Sequence, residues 1–468
     1  MKFFLKTLVL SCAILAVAAQ AQDEVPSQVL LTNVSVWDGT SDKVSKDTDV
    51  LVEGNKIKKI GKNLDSEGAI VIDGKGGTVT PGLIDMHQHL TLNNGTAGGN
   101  KWDAYVQGAH ASRAAEYLLR SGFTTVRDIA GNSLGIKRAV NSGQLPGPRI
   151  YSSGPAIGPT GGHSDWGSWV DGPGAETYQQ KLQNTMVVDG EAEWLRAGRW
   201  NFRMGADFLK VMSGGGVASD FDPLDLNSPS LDEMKAAVQV ANEYGGYIAI
   251  HGYTDAAYNK SLDAGVKSFE HGFLVSEETV KRMAKEGVWW SYQAYGSWTT
   301  FGGGQFPDWF TDDMREKGAK VAEGASRVPA LMKKHGVKIL AASDMFGWDN
   351  WHNAIINVAV PVDVPGKVFS SLDAMKMSTS YAGQALLELS APSRNPFKGA
   401  KLGVVEEGAW ADLLIWNGDP TQDVKLVIEE ENLLFIMKYG VSFKNLLVPP
   451  EHDSYRGGLK PSGHSWSM

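Results

Sequence analysis

The sequence predicts an α/β fold, a TIM-type (β/α)8 barrel with a small discontinuous β-sandwich-like domain assembled from both chain ends. Three observations predict it. Eight short apolar runs alternate with helical patterns through the middle of the chain. β-rich texture punctuated by turn residues occurs near both termini. A length of 468 residues suits a barrel of roughly 250 to 350 residues with one small partner domain. With 42% hydrophobic and 21% charged residues the chain can bury a large core, which excludes disordered, collagen-like and small disulfide-stapled classes.

The first segment, residues 1–21, reads as a signal peptide. Lys2 and Lys6 precede an apolar stretch that ends in Ala19-Gln20-Ala21, the small-x-small pattern of a cleavage site. The run from Thr7 to Ala19 falls short of the roughly 20 residues that span a bilayer, so no membrane span is expected in the mature chain. The expectation is an exported protein, periplasmic or secreted. Cys12, the only cysteine, lies in this segment; a lipoprotein anchored through Cys12 is the minor alternative. Loss of Lys2 and Lys6 takes the formal charge from -9 to -11, and no basic cluster suits a nucleic-acid partner.

Residues 22–80 and 401–446 form the expected composite β domain, the first part read as a small antiparallel sheet. Its segments include VLLTNVSVWDGT and DVLVEGNKIKKIG, answered near the C-terminus by ADLLIWNGDP and LLFIMKYGVSF. Residues 81–400 form the barrel, and 447–468 a polar tail. The eight strand runs are GLIDMH, FTTVRDI, PRIYSSG, FLKVM, YIAIH, SFEH, VWWSYQ and KILAASD. Ser230 with Glu233 three residues on reads as a capping box, and Thr254 as a second helix start. The loops at 155–190 and 294–312 are long, as expected at a barrel mouth. Trp166, Trp169, Trp289, Trp290, Trp298, Trp309, Trp348 and Trp351 lie in or beside the segments after strands three, seven and eight. They suggest an aromatic entrance, or else ordinary packing of loops on the barrel.

Chemistry-bearing residues fall at the C-terminal ends of these runs, the face where barrel active sites are built. His87 and His89, two apart, should share one face inside the barrel, where two neutral imidazoles suit a divalent metal. Lys210 interrupts an apolar strand, and a buried ammonium there needs an acidic partner or a chemical change. One such change is uptake of carbon dioxide to form a carbamate whose oxygens can bridge two metal ions. His251 and His271 end adjacent strands one strand-helix repeat apart. Asp344 closes the eighth strand, which lies beside the first in a closed barrel, so it should face His87 and His89.

Taken together, NVSVWDGT, PGLIDMHQH, FTTVRD, FLKVMSGGGVAS, IHGYTDAA, FEHG, AASD and GAWADLLIWNGDP, in this order, resemble the amidohydrolase superfamily in its binuclear branch with a carboxylated lysine. The resemblance covers about 28 to 445. It implies that His87, His89 and Asp344 hold one metal and His251 and His271 the other. Lys210, carboxylated by carbon dioxide, would bridge the two divalent ions, expected to be zinc. It further implies hydrolysis of an amide or peptide bond by a metal-bridging hydroxide, with Asp344 as the catalytic proton carrier. The chain looks most like prolidase or Xaa-dipeptidase members and N-acyl amino acid amidases, including ochratoxin-type enzymes.

On that resemblance the substrate is a small amide or dipeptide, and His163 in GGHSD and Tyr253 are the candidates to grip its carboxylate. Gly252, where many relatives carry Ala, and the bulky strand VWWSYQAYGSW depart from the common pattern. Asp220, Asp222 and Asp225 could select a basic leaving residue, whereas the tryptophans favour an apolar one. Acidic loop residues are usually solvated, which favours the apolar reading. His110 and His335 read as structural, while His352 could reach the mouth and His452 and His464 belong to the tail. A homo-oligomer is compatible with the resemblance. The alternative reaction is hydrolysis or deamination of a cyclic amide or imidazolone. A binding protein without catalysis is disfavoured by a proton carrier beside metal ligands.

Overall fold

Strand-forming runs at both ends build two stacked sheets, and the central runs build the barrel they flank. The computed structural model describes residues 28–92, 103–345 and 353–448. The segment read as a signal peptide, with Cys12, and the residues His352, His452 and His464 therefore lie outside the described residues, as does most of the tail. The eight barrel strands are β1 (Leu83–Gln88), β2 (Phe123–Asp128), β3 (Arg149–Ser152, resumed at Ala156–Gly158 after Pro155), β4 (Leu209–Met212), β5 (Ile248–Gly252), β6 (Ser268–His271), β7 (Trp289–Tyr292) and β8 (Lys338–Ala341). All neighbouring pairs are parallel. The ring closes where the Asp344 amide donates to the His87 carbonyl at 2.7 Å and Gln88 bridges Met345.

Alternation along these strands sends one set of side chains inward. Met86, Ile129, Tyr151, Phe208, Ala249, Trp289 and Leu340, from around the ring, meet in one buried cluster that fills the barrel. Helices pack outside. Leu231–Glu243 starts at the Ser230/Glu233 capping box and Asp255–Ala264 at the Thr254 cap, as the sequence predicts. Among the described residues no helix is long and apolar enough to cross a membrane.

The flanking sandwich corrects the expectation of a small antiparallel sheet at the N-terminal end. One four-stranded sheet comes wholly from residues 28–73, while a five-stranded sheet combines 35–36 and 78–81 with three strands from 413–445. Two pairs are parallel, 28–32 with 70–73 and 35–36 with 78–81. Val29, Leu31, Val50 and Val52 pack with Val79, Leu413, Ile415 and Phe435 between the sheets.

The sandwich is fastened to the barrel by charge as well as covalently. Arg149, at the start of β3, is fully buried and pairs with Asp412; its guanidinium lies 3.8 Å from the Tyr439 ring centroid. Asp412 also accepts from the Tyr439 amide at 2.9 Å. Arg149→Ala would leave a buried carboxylate without its cation, so it should cost roughly 3–5 kcal/mol of stability. Denaturant titration followed by tryptophan fluorescence checks this.

Candidate active site

The C-terminal ends of β1, β4, β5, β6 and β8 bring four imidazoles, a carboxylate and an amine together. The His87 and His89 rings are 5.0 Å apart, His271 lies 5.2 Å from His87, and His251 lies 4.4 Å from His271. Asp344 Oδ1 is 3.0 Å from His89 Nε2 and 3.3 Å from His87 Nε2, and Oδ2 is 3.7 Å from His271 Nδ1. Lys210 Nζ points into the same pocket, buried and without a hydrogen-bond partner among the described residues. His271 and Asp344 adopt φ of 69° and 58°, a left-handed backbone rarely used by residues with a side chain. These turns end β6 and β8 and aim both side chains over the barrel mouth; such strain is characteristic of functional sites.

Burial sets the protonation. It holds His87 and His251 well below the ordinary histidine value and takes His271 down to about 3, so all three are neutral, the form that binds metal. It lowers Lys210 to about 8 in spite of nearby Glu270 and Asp344, which makes the free amine accessible near neutral pH. Burial alone would raise Asp344, but its carboxyl is held below the ordinary value, the hydrogen bond that it accepts from His89 Nε2–H among the causes, so this carboxylate is ionised.

A second layer fixes the imidazoles. His87 Nδ1–H donates to Glu270 Oε2 at 2.9 Å, which leaves Nε2 free toward Asp344. Glu270 is in turn held by Arg127 Nη2 at 2.6 Å, and Arg127 also donates to Ser291 Oγ and the Met86 carbonyl. His251 Nε2–H donates to the Gly215 carbonyl at 3.1 Å, so its Nδ1 carries the free lone pair. The donor set fits divalent metal. His87, His89 and Asp344 each offer a ligand atom within 4.8 Å of the others, and the orphaned amine of Lys210 fits a lysine that reacts to become a ligand.

A model of the amidohydrolase family matches residues 78–442. The chain belongs to the amidohydrolase family. Among curated relatives, this amidohydrolase is 27% identical to ochratoxinase of Aspergillus niger over 387 residues, 79% of this chain and 76% of that protein. Among solved structures it resembles a prolidase complexed with N-methylphosphonate-L-proline, with TM-score 0.80 and 28% identity over 89% of this chain and all of that one. A Xaa-Pro dipeptidase with methionine bound in its active site gives TM-score 0.78 and 26% identity over 90% and 100% of the two chains.

Beside the metal-competent cluster of this amidohydrolase stand the two residues assigned to substrate. His163 stacks on His251 at 4.1 Å, and Tyr253 meets both His251 and His271 at 5.2 Å; both line the pocket. The sequence reading of the acidic loop needs correction. Asp222 is fully buried and receives His163 Nδ1–H at 2.8 Å and the Gly216 amide at 2.7 Å, so it orients His163 and faces no substrate side chain. The glycines of GGGVAS make this possible: a Cβ on Gly216 would lie 2.0 Å from the His163 ring.

The aromatic entrance is also different from the one expected. Trp289 and Trp290 are buried in the strand, the latter donating to the His271 carbonyl at 2.7 Å; Trp169 is 82% exposed. Of the eight tryptophans named, only Trp166 lines the described pocket, joined by Phe301 and Phe310. Trp348, Trp351 and the Trp298 side chain lie outside the described residues. His110 is buried in its helix and His335 bonds Glu277 at 2.7 Å, both away from this pocket. Sequence reasoning missed Glu270 and Arg127; a charge inside an apolar strand, the signal that revealed Lys210, marks Arg127 in FTTVRD.

Glu270→Gln removes the charge that fixes His87 and leaves Arg127 uncompensated. Zinc affinity, measured by competition with a chromogenic chelator, should fall about 10- to 100-fold.

Proposed function

We propose that this amidohydrolase cleaves the amide bond of a dipeptide or N-acyl amino acid, using two divalent ions, zinc in the first instance. His87, His89 and Asp344 would hold one, His251 and His271 the other, and Lys210, carboxylated by carbon dioxide, would be shared. One observation carries this reading: a buried amine with no hydrogen-bond partner among the described residues lies in a pocket otherwise rich in metal-competent groups. The ions would supply Lewis acidity toward the scissile carbonyl and lower the pKa of the attacking water.

The protein's own groups account for the remaining steps. Asp344, ionised and 3.0 Å from His89, accepts a proton from the attacking water and delivers it to the leaving nitrogen. Water thus adds to the carbonyl carbon, the C–N bond breaks, and an amine and a carboxylate leave. Burial holds the Tyr253 hydroxyl well above its ordinary value, so it remains a donor that can grip a substrate carboxylate beside His163. The leader read in residues 1–21 supports an exported enzyme.

The test is incubation of the zinc-replete protein with dipeptides and N-acyl amino acids while free amino acid is measured. The parent should cleave and Lys210→Ala should not. Metal bound without cleavage anywhere in the library would contradict amide hydrolysis of this class and point to cyclic amides. Asp344→Asn should lose about 10²- to 10⁴-fold in kcat while retaining bound metal by elemental analysis; unchanged turnover would remove Asp344 from the proton path.

A further inference from the structure

The pocket is lined by two chemical kinds of residue. The metal-competent residues stand with His163 and Tyr253, while Phe301, Phe310, Trp166, Leu92 and Val217 supply uncharged surface, the Trp166 ring 6.2 Å from that of His163. Phe301 reaches that wall through an unusual piece of backbone. Immediately beyond β7, Tyr295–Phe301 winds as a π-helix, a form seen mostly as short segments at functional sites. One residue, Ala294, separates it from Gln293, whose amide nitrogen lies 3.3 Å from His87 Nδ1. The stretch from Gln293 to Phe301 therefore both touches a candidate metal ligand and supplies one aromatic residue of the wall.

The wall is braced from behind. Phe301 stacks on Phe306 at 5.6 Å and lies 5.9 Å from Phe310, and the Phe306 and Phe310 rings are 6.0 Å apart. Helix Asp312–Ala325 makes room for them at Gly318, where a Cβ would sit 2.7 Å from the Phe306 ring. The acids of the 220–225 loop offer no partner to a basic substrate group in this pocket: Asp222 is committed to His163, and neither Asp220 nor Asp225 lines it.

We infer that Phe301 and Phe310, with Trp166, form a specificity subsite for an aromatic or large apolar side chain on the substrate. The inference rests on the amide-hydrolase reading above and narrows its substrate class. A charged side chain would lose hydration against this wall without gaining a partner, whereas a phenyl ring replaces water with aromatic contact. The side chain can belong to the acyl half or to the leaving half of the amide.

The experiment compares kcat/KM for Phe-bearing and Gly-bearing dipeptides, varied at the first position in one series and at the second in the other. The parent should prefer Phe in one series, which identifies the half that meets the wall. In Phe301→Ala that preference ratio should fall about 10- to 100-fold, the scale expected when a large apolar contact is lost. Phe301→Leu, which keeps an apolar wall, should recover part of it. Calorimetric binding of N-acetylphenylalanine and N-acetylglycine to Asp344→Asn protein, with and without Phe301→Ala, should shift in the same sense without requiring turnover. A parent that cleaves both series without preference, or a ratio unchanged in Phe301→Ala while both substrates slow equally, would overturn the subsite and leave amide hydrolysis standing. A parent that cleaves neither series would overturn the amide-hydrolase reading, and the subsite with it.

Discussion

Burying the amine of Lys210 at the mouth of the barrel is the constraint on which the site depends. An ammonium in that position would be desolvated, and among the described residues Nζ has no hydrogen-bond partner. Burial instead lowers its pKa to about 8 and makes the neutral nucleophilic amine available. Four imidazoles and Asp344 line the same pocket, so the unsatisfied position is chemically useful once the amine carries a group that can take up positive charge.

The surrounding structure holds these groups in place at a cost in backbone strain. His271 at the end of β6 and Asp344 three residues beyond β8 have left-handed φ, and both turn a candidate ligand over the opening. The compensation lies one layer down. Arg127 and Glu270, each fully buried, pair in the barrel interior, and Glu270 passes that fixed charge to His87 as a directed hydrogen bond. Stability and site geometry thus share one network. The same economy holds at the rim, where a buried carboxylate, Asp222, and a glycine loop orient His163 together.

The parts of this architecture legible in the sequence were those written in local pattern. Eight apolar runs, four of them ending in His or Asp and one interrupted by Lys210, announced both the barrel and its chemical face, because strand period and strand end suffice to place those residues. Glu270 was hidden by its neighbour His271: strict alternation would send the two to opposite faces, and only the positive φ at His271 lets both reach the cluster. Phe301 and Phe310 sit in a segment without regular periodicity, and their place follows from long-range packing on helix 312–325. Asp222 read as a solvated loop acid because its burial comes from the folding of Gly214–Gly216 around His163. The parallel pairings of the terminal sandwich were similarly invisible, since local texture identifies a strand but not the strand that lies beside it.

The most direct measurement of the central claim is the chemical state of Lys210. Metal-depleted protein reconstituted with zinc and ¹³C-bicarbonate should show one protein-bound carbamate carbon by NMR, absent in Lys210→Ala, and two zinc ions per chain by elemental analysis. A fully active protein with no carbamate signal, or with a single metal ion, would contradict the account.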